Sequence, residues 1–101
     1  MAGPTCAVEL EANADGTTLD AIDSFVKRTF QDVRETRKGR HWEGCLSGRI
    51  FVVSVEDADD ESPASILLAA PGNSPVDYDI LRKLSTELAA ILGGRATEPI
   101  K

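Results

Sequence analysis

The sequence predicts an α+β domain, a two-layer sandwich with elements in the order β-α-β-β-α. Three observations predict it. Residues 5–12 alternate polar and apolar side chains with a period of two. Two longer segments, about 18–38 and 75–92, repeat apolar residues every three or four positions. Two β-branched runs, 45–55 and 64–70, lie between those segments. At 101 residues, 42% of them hydrophobic, the chain has material for one domain and one core. That domain is expected over residues 1–94, with 95–101 as a C-terminal tail.

In residues 5–12 (TCAVELEA), Cys6, Val8, Leu10 and Ala12 fall on one face and Thr5, Ala7, Glu9 and Glu11 on the other. This is the signature of a half-buried strand, and Asn13-Ala14-Asp15-Gly16 supplies the turn that ends it. Thr17 or Thr18 then caps a helix whose buried stripe is Leu19, Ile22, Val26, Phe30 and Val33. Arg34, Arg37 and Lys38 suit the negative end of its dipole, and Gly39 suits the position just past the end. The next strand, CLSGRIFVVSV over 45–55, contains Gly48, a residue that marks a bulge or a close backbone approach. An acidic, solvated loop at 56–63 leads to ASILLAA (64–70), apolar on both faces, and Pro71-Gly72-Asn73 ends that strand. Ser74-Pro75-Val76-Asp77 reads as an N-cap, a helix-opening proline and an acid at the capping-box position. Ile80, Leu81, Leu84, Leu88, Ile91 and Leu92 line the second helix, which Gly93-Gly94 closes.

The first helix is long enough for a right-handed crossover between parallel first and second strands. Pairing the second and third strands antiparallel gives a three-stranded mixed sheet, with the order 1-3-2 favoured. This pattern is similar to a ferredoxin-like split βαβ unit that lacks its fourth strand. Two helices on one side of such a sheet leave its second face as an apolar patch awaiting a partner, whereas helices on opposite sides cover both faces.

Charge narrows the function. The chain carries a net charge of −6. Residues 27–49 nevertheless hold seven bases and only three acids. A nucleic-acid binder needs a basic field, and the chain as a whole lacks one. Any such contact would fall to Lys27, Arg28, Arg34, Arg37, Lys38 and Arg40, with Trp42 as a stacking platform. No apolar run approaches the ~18 residues of a membrane span, and the N-terminal residues lack the basic and apolar regions of a signal peptide. A cytoplasmic protein is the expectation.

The stretch RKGRHWEGC, residues 37–45, holds the sole His, the sole Trp and one of the two Cys. His41-x-Glu43 lacks a Pro-Cys-x-x-Cys partner, and no second ligand pair accompanies His41 and Cys45, so no metal or other cofactor is expected. A thiol enzyme using Cys45 with His41 as base would need a turn between them, because four extended residues span ~13 Å. Cys6 and Cys45 read as reduced structural thiols. No catalytic residue is assigned. The leading expectation is a non-catalytic interaction or regulatory domain that forms a homodimer through an apolar sheet face, with Trp42, Leu46, Ile50 and Val52 as contacts. One variant is an acidic, immunity-type neutraliser of a basic partner. The nucleic-acid and thiol-enzyme readings are the alternatives, and no small-molecule ligand is indicated.

Overall fold

A computed structural model describes residues 3–99 of the chain. Its elements are β1 (Thr5–Glu9), α1 (Gly16–Thr29), β2 (Gln31–Thr36), β3 (His41–Leu46), β4 (Arg49–Glu56), β5 (Ser65–Ala69), α2 (Pro75–Leu92) and β6 (Arg95–Ala96). The six strands form a single sheet in the order β2-β3-β4-β5-β1-β6. All five pairings are antiparallel.

The α+β class holds, but the three-stranded mixed sheet, its 1-3-2 order and the ferredoxin-like comparison are overturned. No parallel crossover joins β1 to the following strand. β1 lies between β5 and β6, antiparallel to both. Three local causes account for the difference.

The first is the end of α1. The helix stops at Thr29, where Phe30 turns to an extended conformation (φ −111°, ψ 160°) while its N–H still bonds to the Val26 carbonyl. The Phe30 ring then packs on the sheet, 6.0 Å from Phe51 between centroids. It lies so close over Gly44 that a Cβ there would sit 2.5 Å from the Cβ of Phe30. The apolar spacing that continues to Val33 therefore passes from a helix into a strand.

The second cause is the turn after β2. Arg37, Lys38 and Gly39 all have positive φ (54°, 57° and 78°), so Gly39 serves a hairpin instead of a helix end. The third is Ser47-Gly48. Both residues have positive φ (55° and 76°), the conformation of a type I′ turn, and Leu46 pairs directly with Arg49. The single run expected over 45–55 is thus two strands and a two-residue turn.

α2 follows its sequence signals closely. Ser74 and Asp77 form a reciprocal capping box, Pro75 opens the helix, and Gly93 ends it in the left-handed conformation (φ 70°). Beyond residue 94 the chain returns along β1. β6 pairs with Val8 and Glu9, and the Thr97 N–H donates to the Ala7 carbonyl at 2.8 Å. Residues 100–101, the end of the expected tail, lie outside the described residues.

Both helices cover the same face of the sheet. Ile22, Phe25 and Val26 of α1 and Leu81, Leu84 and Leu88 of α2 join one core with Val8, Trp42, Phe51, Val53, Ile66 and Leu68. Each fully buried side chain of this size contributes about 1.5–3 kcal/mol through removal from water. Among the described residues, no helix is long and apolar enough to cross a membrane.

Candidate functional site

The pleat places alternate residues of every strand on the face away from the helices. In register across the middle of that face stand Val52, Ala69 and Thr5 in one row and Ser54, Leu67 and Ala7 in the next, with Ile50 beside Cys45 below them. Ile50 is 58% exposed and Leu67 37%, high values for large aliphatic side chains on the central strands of a sheet.

The charges lie around this apolar middle. Toward β2, Arg34 stands opposite Glu43, and His41 Nε2 is 3.6 Å from a Glu43 oxygen. His41 Nδ1 is buried without a hydrogen-bond partner. At the opposite edge Arg95 pairs with Glu9. A shallow depression of about 280 Å³ on the β2 side is lined by Asp32, Arg34, Glu43, Gly44, Cys45 and Ile50.

The four contact candidates separate. Ile50 and Val52 lie on the open face. Trp42 pairs with Val53 and faces the core, where it is 1% exposed, and its Nε1 donates to Asp23 at 3.1 Å. The Lys27 ammonium, 3.0 Å from the same carboxylate, is the main cause that holds Asp23 below the usual carboxyl range. Leu46 also faces the helix side, where it lines one groove with Ile80 and Leu84. The reason is the two-residue turn: side chains paired across a hairpin share a face, so Leu46 goes with Arg49, and Ile50 goes with Cys45. Counting alternation straight through Ser47-Gly48 joins residues from opposite faces. Leu67, outside that set of four, completes the open patch. Its signal was a β5 run apolar on both faces with only one face covered.

The thiols also separate. Cys6 is buried, its Sγ is 3.7 Å from the Leu81 carbonyl, and burial pushes its thiol pKa upward. Cys45 is half-buried on the open face. It shares that face of β3 with His41, four residues and ~13 Å of extended chain away. Among the described residues, no three His, Cys, Asp or Glu side chains converge as a metal-binding group would require.

The basic segment is dispersed and partly matched. Lys27 bonds Asp23, Arg40 bonds Asp57 at 2.6 Å, and Arg28 lies 5.6 Å over the Phe25 ring. Arg34 is on the open face of β2, and Arg37 and Lys38 are in the β2–β3 turn. Arg49 reaches beneath α2, donating through Nε and Nη2 to the two oxygens of Asp77, each at 2.7 Å.

No known protein family, curated protein or solved structure matches this chain.

Proposed function

We propose that this is a non-catalytic association domain whose working surface is the open face of its sheet, and whose partner is a protein surface of matching apolar character. One observation carries the reading: Ile50 and Leu67 are exposed at 58% and 37% on a face that neither helix covers. Aliphatic side chains in such positions add little to folding, and a contiguous patch of them on a water-exposed sheet is a surface suited to burial by a partner. The separation of His41 from Cys45 supports a binding role over thiol chemistry. The acids already facing Lys27, Arg40 and Arg49 weigh against the nucleic-acid alternative.

The test is thermodynamic. At protein concentrations dilute enough for the chain to be monomeric, Ile50→Thr and Leu67→Thr should each change the unfolding free energy by less than ~0.5 kcal/mol, the range of ordinary surface substitutions. Val53→Thr, on the covered side of the same strand, should cost about 1–3 kcal/mol because it buries an unpaired hydroxyl. Urea denaturation followed by Trp42 emission measures all three. A loss above about 1.5 kcal/mol at position 50 or 67 would show a structural role and end the reading.

A further inference from the structure

We infer that the surface which covers the open sheet face is a second copy of this chain, stacked face to face across a two-fold axis. The inference rests on the reading of that face as a binding surface and names its partner. Three features of the fold carry it.

Size is the first. The described molecule measures 32 × 26 × 24 Å and exposes 5988 Å². One broad side is roughly a sixth of that surface, on the order of 1,000 Å², and a stable interface takes about 800 Å² from each partner. A copy of the same face fills the requirement without help from other surfaces.

The second feature is the pair of sheet edges. β2 is interrupted by a register shift between Gln31 and Arg34, with Asp32 at φ 53°, and it carries Arg34 and Glu35. β6 is only two residues long. Bulges, charges and short edge strands block sideways strand addition, which would generate open-ended sheets. Face-to-face pairing about a two-fold axis is closed and stops at two copies.

The third is where charge is absent. Ile50, Val52, Leu67, Ala69 and Ala7 form a centre with no ionised group; the charges stand at its margins, where Glu9 is matched by Arg95, Glu43 lies opposite Arg34 and 3.6 Å from His41, and Glu56 ends β4. A surface that recognises a charged partner places uncompensated charge at its centre. One with none lets two copies meet centre to centre without like-charge repulsion.

Sedimentation velocity and light scattering on the full chain test this, from about 5 to 500 µM and at low and high NaCl. The wild type should form a reversible dimer. Because each copy carries −6, screening should tighten that dimer several-fold as salt rises. Ile50→Glu and Leu67→Lys should each weaken it at least tenfold, with far-UV circular dichroism and Trp42 emission unchanged. A wild type monomeric throughout, a dimer indifferent to both variants, or one that loosens with salt overturns the inference. In the monomeric case the threonine variants still report separately on whether the face is a free surface. If the charged variants unfold, Ile50→Thr and Leu67→Thr carry the dimer measurement: folded threonine variants with a weakened dimer support the inference, and unfolded ones overturn it together with the reading beneath it.

Discussion

Replacing Arg49 with Met should destabilise the fold more than replacing its partner Asp77 with Asn, although each change removes the same ion pair. The asymmetry follows from exposure: the Asp77 side chain is fully buried, whereas that of Arg49 is 37% exposed. In Arg49→Met, a carboxylate without access to water keeps only the Ser74 hydroxyl and amide, at 3.0 and 3.3 Å. Removing one partner of a buried pair costs about 3–5 kcal/mol, and those remaining donors place this case near 3. In Asp77→Asn, the guanidinium turns to solvent and the amide oxygen still accepts from Ser74. The loss is then about 1–1.5 kcal/mol, that of one charge-assisted contact discounted for screening. Acidification sharpens the comparison. Burial opposes ionisation of Asp77, but hydrogen bonds from Arg49 and Ser74 outweigh it and hold the carboxyl below its usual range. A lowered folded pKa gives stability that is complete above the unfolded value of ~3.9 and is lost as pH falls through the folded one. In Arg49→Met only the opposing effect of burial gains weight, so its deficit against wild type should narrow between pH 7 and pH 3. Urea melts of wild type, both single variants and the double variant at several pH values measure this. Equal costs below about 1 kcal/mol, or a deficit independent of pH, would show the pair to be an ordinary solvated contact.

Gly44→Ala should cost ~2 kcal/mol or more in a thermal or urea melt, since the new methyl would meet Phe30 at 2.5 Å. Gly16→Ala, with open space around it, should stay within ~0.5 kcal/mol. With a thiol reagent, Cys45 should react at once and Cys6 only at the rate of unfolding, because Cys6 is buried with a raised pKa; the reverse order of labelling, read by mass spectrometry, would refute the face assignments. In the acidic loop, Asp59→Ala should cost ~0.5–1 kcal/mol through its bonds from the Glu61 and Ser62 amides, while the exposed Asp60 can be neutralised without measurable loss.

Where a local rule and the tertiary contact agree, the sequence was readable. The α2 boundaries followed from Ser74, Pro75, Asp77 and Gly93, each of which performs the role its chemistry suggests. The paired faces of β1 followed from strict alternation. The failures occurred where two rules competed. Phe30 and Val33 fit a helical period as well as they fit a buried helix stop followed by a strand, and Lys38-Gly39 suits a helix end as well as a hairpin. What decides between them is Gly44, fourteen residues after Phe30, whose bare Cα receives that ring. A β5 run apolar on both sides fits a sheet with one bare face as well as one covered on both, and only the packing of both helices on one side decides it. The membership of that face was not legible either, because the parity of every residue after Leu46 depends on reading Ser47-Gly48 as a turn. β6, with two residues, carries no periodicity to detect.

The position of β1 sets an order of assembly. The four strands β2 to β5 are joined by successive hairpins and can zip up from neighbours close in the chain. The first strand has no such neighbour: its two partners lie about sixty and ninety residues downstream, at Ser65–Ala69 and Arg95–Ala96. Pairings this distant close slowly, because loop entropy is lost before any contact repays it. Residues 5–9, with the core side chains Cys6 and Val8, therefore find no strand partner until β5, about sixty residues further on, is in place. They then enter a slot flanked by β5 and roofed by α2, and Thr97 fastens the outer side through three hydrogen bonds with Ala7. Of the six strands described, the first in the sequence is among the last to be placed.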